Sequence, residues 1–138
     1  QCVDHVIICL PSPKVSFEVI SEALPHMADE SSWIEMSTIS TEDVLRFLEQ
    51  AKKHNVEMLE LPVTGGVHLA AKGKITMLAG GSTHFFKLHY PALQAMGDKI
   101  FHIGPLGSAA IIKVISNMLA FIQLVADGEA LMLAKKEC

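Results

Sequence analysis

Cysteine is scarce. The 138-residue chain has three, at positions 2, 9 and 138, and no two show C-x-x-C spacing. An odd count without motif spacing argues against a disulfide framework. It fits a reducing compartment: the cytoplasm, or the mitochondrial matrix in a eukaryotic source. Charge is also scarce, at 19% Asp, Glu, Lys and Arg. The 11 basic residues are scattered and outnumbered by 15 acidic ones, which argues against a nucleic-acid surface or a polybasic membrane patch. Mean hydropathy is high, +0.36. Yet the longest unbroken apolar stretch near the C-terminus is Met118–Ile122, short of a bilayer span. No basic stretch precedes an apolar core at the start, so no signal peptide is expected. The 7 histidines show no ligand spacing, and His84 and His89 are five apart, which does not align them on a helix. No H-E-x-x-H, G-x-S-x-G elbow or G-x-x-x-x-G-K-[ST] phosphate loop occurs, so no metal site is expected. There is no internal repeat.

What is present is apolar. Half of the residues are hydrophobic, which excludes disorder, and a mass of 15.0 kDa supports one core rather than two. The chain opens at Gln1 directly before an apolar strand and stops at Lys135-Lys136-Glu137-Cys138 without a helix cap. Both ends read as cut, and the chain is expected to be an internal piece of a longer protein.

His5–Leu10 is a nearly continuous apolar run stopped by Pro11-Ser12-Pro13, the pattern of a strand buried on both faces in a parallel sheet. Helical spacing follows from Lys14 to about Met27. Trp33–Met36 reads as a second strand. Thr41 is placed to cap the next helix, with Glu42 and Asp43 in its first turn and His54-Asn55 at its end. Val56–Val63 reads as a third strand, completing a βαβαβ unit. After Gly65-Gly66 come a short helical turn over 67–72, a strand over 75–79, a helix from Ser82 or Thr83 to Gly97 and a strand over 99–103. These form a further crossover. From Ser108 to Lys136 one long helix is apolar nearly all round, and such a helix must be buried on every side. The fold class is therefore α/β: half of a doubly wound sheet, then a long helix.

Three places can carry chemistry. Pro62-Val63-Thr64-Gly65-Gly66 lies past the carboxyl end of a buried strand, where ligands of open α/β sheets bind. Two glycines let a backbone approach a ligand closely, and the Thr64 hydroxyl adds a donor. A plain strand-to-helix turn reads the same way. Gly104-x-x-Gly107-Ser108 marks a helix start with free N–H groups that attract anions. Lys113 and Asn117 follow, on one helix face. Desolvated within Ile111-Ile112-Lys113-Val114-Ile115, the lysine would lose proton affinity; a snorkelling stem is the alternative. Met36-Ser37-Thr38 and Leu10-Pro11 are loop tips on the same sheet edge, equally readable as simple turns.

Ile34-Glu-Met-Ser-Thr-Ile-Ser, Leu61-Pro-Val-Thr-Gly-Gly-Val, Gly73-Lys-Ile-Thr-Met-Leu-Ala-Gly-Gly, Met96-Gly through His102-Ile-Gly-Pro-Leu-Gly-Ser, and Lys113-x-x-x-Asn117 occur in that order. This succession resembles the β-hydroxyacid dehydrogenase family, which includes 3-hydroxyisobutyrate and 6-phosphogluconate dehydrogenases, over nearly the whole chain. The resemblance implies a Rossmann domain lacking its first βαβ unit over 1–107 and the start of a connector to an all-helical domain over 108–138. It implies NAD or NADP as cofactor and a small hydroxyacid or semialdehyde as substrate. Lys113 falls on the family's catalytic lysine and Asn117 on its neighbouring asparagine. Thr64, Gly65 and Gly66 fall on its substrate-carboxylate loop, with Thr64 replacing the commoner serine. Leu10, Pro11, Ser37 and Thr38 match positions lining the cofactor. Ala109 stands where the family usually has glycine. The pyrophosphate-binding turn is missing, so the isolated chain is expected to be inactive. It is also expected to form homo-oligomers through its last helix. The rival reading is a non-enzymatic dimerisation or scaffold module, against which Lys113 argues.

Overall fold

The computed structural model describes residues 3–137. Of the three cysteines, Cys2 and Cys138 lie outside the described residues, and Cys9 is an exposed free thiol. The elements run β1 (His5–Ile8), α1 (Pro13–Ala23), β2 (Ser32–Glu35), α2 (Thr41–Lys53), β3 (Glu57–Glu60), β4 (Val63–Thr64), α3 (Gly66–Ala70), β5 (Ile75–Gly80), α4 (Thr83–Met96), β6 (Gly97–Gly104) and α5 (Ser108–Glu137).

Three helices begin on a serine whose hydroxyl oxygen accepts an amide of the first turn. Ser12 takes Val15 N–H at 3.3 Å, Ser40 takes Asp43 N–H at 3.1 Å and Ser82 takes Phe85 N–H at 3.1 Å. The cap of α2 is thus Ser40, not the expected Thr41. The Thr41 hydroxyl instead donates to the Gly107 carbonyl at 3.4 Å, tying the start of α2 to the start of α5. A 3-10 turn at Leu24–His26 follows α1, where the sequence suggested continuous helix. Pro25 lacks the amide that an extended helix would require.

β1, β2 and β3 pair in parallel, with Ile8 beside Glu35 and Glu35 beside Glu60. β5 joins β3 antiparallel through Glu60 and Gly80, and β6 runs parallel to β5. The second crossover therefore exists but points the opposite way from the first unit. The reason lies in residues 61–74. They spend their length on β4 and on α3, a helix of five residues, too short at about 1.5 Å per residue to carry the chain back along the sheet. β4 folds back antiparallel on β5, Val63 opposite Met77 and Thr64 opposite Thr76, leaving Thr64 at the carboxyl end of the parallel strands.

Alternation along the strands divides the core in two. Ile20, Trp33, Val44, Phe47, Met58 and Ala110 pack on the face covered by α1, α2 and the first turn of α5. Ile34, Leu59, Leu61, Met77, Phe85 and Leu93 pack on the face covered by α4. On the α4 side, His89 Nδ1 donates to the Phe85 carbonyl at 3.0 Å, so its Nε2 accepts from the Ser32 hydroxyl at 2.9 Å. The Ser32 oxygen in turn accepts from His5 Nδ1 at 2.6 Å. One polar chain, buried at Ser32 and His89 and exposed at His5, thus pins α4 across β1 and β2.

Beyond its first turns α5 is bare. Its buried residues are Ala109, Ala110 and Lys113. Burial on all sides, expected from its composition, is not what this chain provides. The accessible surface is 8663 Å². That is roughly 1,700 Å² above the ~7,000 Å² of a compact chain of 15.0 kDa.

Candidate active site

The carboxyl ends of the parallel strands open into a cavity of about 530 Å³. Cys9, Thr64, Gly65, Gly66, Lys113 and Asn117 line it, with Val63, Val67, Ala70 and Ile75 as its apolar wall. Two sequence-distant candidates, the threonine–glycine turn and the lysine–asparagine pair, therefore share one crevice. β4 carries Thr64 into the crevice from below. Gly65 and Gly66 turn the chain at φ 126° and 74°, left-handed values that glycine adopts without strain. At Gly65 a side chain would also strike Leu69 Cδ1 at 2.8 Å.

Lys113 stands on α5 with Asn117 one turn further on the same face. It is 7% exposed, so little of its side chain reaches solvent. Burial away from water holds its amine below the usual lysine value, because the charged form is the one penalised.

The helix start at Gly107-Ser108 departs from expectation. Its amides attract an anion, but the anion is the chain's own Glu60. Glu60 Oε1 accepts from Gly107 N–H at 2.6 Å and Ala109 N–H at 3.0 Å, and Oε2 accepts from Ala110 N–H at 3.2 Å. These amides are not open to a ligand. Ala109, standing in place of glycine, is fully buried without displacing this arrangement. Glu60 is itself buried, and burial pushes its carboxyl above the usual range against the pull of the three amides.

Glu35, beside Glu60 in register, is also buried. Its Oε1 accepts Ser37 N–H at 2.9 Å, while Oε2 has no partner among the described residues. Burial raises this carboxyl too, with the Ser37 bond opposing. Ser37 in turn accepts Leu10 N–H on its hydroxyl at 2.8 Å and lies 3.1 Å from the Ser16 hydroxyl. The loop tips after β1 and β2 are therefore locked side by side. Ser37 is buried, Leu10 half-buried, and Pro11 and Thr38 exposed. These four do not line the cavity holding Lys113; they adjoin it through Cys9. Residue pattern alone missed Cys9, Glu35 and Glu60. For the two glutamates a signal exists: each is a lone carboxylate inside an apolar strand, and such a group needs buried partners.

Two other hollows, of about 590 and 470 Å³, lie along the bare part of α5. They are gaps between the side chains of one helix, including Lys135 and Lys136 in the first and Glu129 in the second.

A doubly wound sheet with its crevice at the strands' carboxyl ends defines the dinucleotide-binding class of α/β domains. Within that class, residues 1–104 match the NAD binding domain of 6-phosphogluconate dehydrogenase, and the chain belongs to this family. It is 33% identical over 133 residues to a Mycobacterium tuberculosis protein described as a probable 3-hydroxyisobutyrate dehydrogenase, covering 96% of this chain and 45% of that one. It is 34% identical over 110 residues to the NAD-dependent L-serine dehydrogenase of Pseudomonas aeruginosa, covering 80% of this chain and 37% of that one. The solved structure of M. tuberculosis 3-hydroxyisobutyrate dehydrogenase with L-serine superposes with a TM-score of 0.93 at 33% identity, covering 97% of this chain and 46% of that one. The matched region thus spans between 37% and 46% of the length of these relatives.

Proposed function

We propose that the protein containing this chain transfers hydride between a nicotinamide dinucleotide and a small β-hydroxyacid or its semialdehyde, with Lys113 as the general acid/base. One observation carries this reading: a buried lysine of reduced proton affinity faces the same cavity as the Thr64-Gly65-Gly66 turn. The chain also carries the family's NAD-binding domain, and the relatives named above act on 3-hydroxyisobutyrate or L-serine.

The residues at the strand ends fit part of a dinucleotide site. Ser37 and Leu10 are bonded to each other at the crest of the parallel strands, and Pro11 and Thr38 present an exposed edge beside the cavity. These four would hold the nicotinamide half, whose contribution when bound is to take up or release hydride. The Thr64 hydroxyl and the amides of Gly65 and Gly66 receive the substrate carboxylate. Asn117 orients the reacting hydroxyl. Lys113, neutral, takes the hydroxyl proton as the alcohol is oxidised; as ammonium it returns that proton in the reverse direction. Val63 and Ile75 exclude water from this exchange.

In the complete protein, dinucleotide-dependent oxidation of 3-hydroxyisobutyrate and L-serine should fall about 10²–10⁴-fold on Lys113→Ala. The 138-residue chain alone should turn over neither substrate. Unchanged turnover in the variant would remove Lys113 from the mechanism. A complete protein that binds dinucleotide yet oxidises nothing would favour a scaffold. Asp127 and Glu129, midway along the bare part of α5, fit a connector between domains better than a membrane span, although by length and apolarity the helix is sufficient for one.

A further inference from the structure

Glu60 does not line the cavity, yet it holds the helix that does. It ends β3 in the middle of the sheet and is 1% exposed. Its two oxygens take three of the amides that the start of α5 leaves without helical partners. The seat has no slack. Opposite Glu60, Gly80 offers only a hydrogen, and a Cβ there would run into the carboxylate. A Cβ on Gly107 would meet Thr41 Cγ2 at 2.8 Å. From Ala109 to Lys113 is four residues, about 6 Å along the axis and nearly the same face. The Lys113 backbone therefore stands one turn above the anchored amides. Past Lys113 only Ser116 and Asn117 are half-buried, and residues 118–137 are all exposed, so the direction of the helix is set within its first turns.

We propose that Glu60 is the positioning residue for Lys113: by gripping the first amides of α5 it sets the rotation and height of the helix, and so places the amine over the Thr64–Gly66 turn. The proposal rests on the acid/base reading of Lys113. A purely stabilising cap would raise the unfolding free energy without governing the surroundings of the amine. A positioning residue governs both.

The test is a site-resolved titration of the lysines of this chain, by competitive acetylation read by mass spectrometry from neutral to alkaline pH. Lys113 should titrate below the chain's exposed lysines. In Glu60→Gln, which keeps the shape and loses an acceptor oxygen, the Lys113 midpoint should climb to meet theirs. Glu60→Asp keeps the charge but shortens the reach by one methylene, and it should move the midpoint the same way. An influence of charge alone would leave it in place. Two variants serve as controls: Glu57→Gln on the exposed start of β3, and Phe85→Leu, which loosens the core on the far face. Both should leave Lys113 unmoved. Circular dichroism confirms that each variant is folded. A low midpoint that survives both Glu60 variants overturns the positioning role alone. An ordinary midpoint in the unaltered chain overturns the acid/base reading and this proposal with it.

Discussion

At position 80 a missing side chain is what lets Glu60 lie across the end of β5. Restoring a methyl there, Gly80→Ala, forces an overpacked contact against a carboxylate that is already committed to three amides. The expected cost is about 1–3 kcal/mol in denaturant unfolding. Combined with Glu60→Ala, which empties the space, Gly80→Ala should cost much less than by itself. Strictly additive costs would show that the two residues do not collide. The pairing was half-legible in the sequence. A glutamate inside Met58-Leu59-Glu60-Leu61 announces that something must satisfy it. Its partners lie 47 to 50 residues onward, and no local spacing names them.

Among the elements, α5 departs furthest from a finished fold. Thirteen of its large apolar side chains are exposed, from Ile111 to Leu133. The surface surplus noted above exceeds the about 800 Å² per partner that a standard interface buries. This chain should therefore self-associate through α5, and sedimentation should show species heavier than 15.0 kDa. Replacing Phe121 and Ile122, 67% and 59% exposed, with lysine should restore the monomer. A clean monomer of the unaltered chain at high concentration would contradict this. The helix itself was readable from Ser108 onward because its apolar residues recur at helical spacing without a break. Its surroundings were not, because composition states only that a surface needs cover.

For the molecule as a whole, the site works against stability near neutral pH. Glu35 has its carboxyl raised above the usual 4.5, so the folded state binds that proton more tightly than the unfolded chain. Its contribution to stability is full below 4.5 and is lost as pH rises through the folded value. Lys113 is lowered from 10.5, and its contribution is lost as pH falls through its own folded value. Acidifying from neutral toward pH 4.5 should therefore stabilise the unaltered chain relative to Glu35→Gln. This is read as a narrowing or inverting gap in Tm, with 1 kcal/mol worth about 4 °C at this size. A gap that stays constant across that range would show Glu35 to be ionised equally in both states.

Local periodicity and punctuation determined the elements. The Pro-x-Pro stop after β1, the serines before three helices, the glycine pairs and the long apolar run mark where strands and helices begin and end. Ordered motifs brought Thr64, Lys113 and Asn117 forward as a set. Only the tertiary structure decided that β5 and β6 run against the first three strands, because direction depends on what the intervening chain can span. It alone showed that the amides of Gly107, Ala109 and Ala110 are already spent on Glu60, and that Glu35 underpins the join between Leu10 and Ser37. Hydrogen bonds between residues far apart in sequence leave no spacing to read. They exist only once the sheet has brought their partners into register.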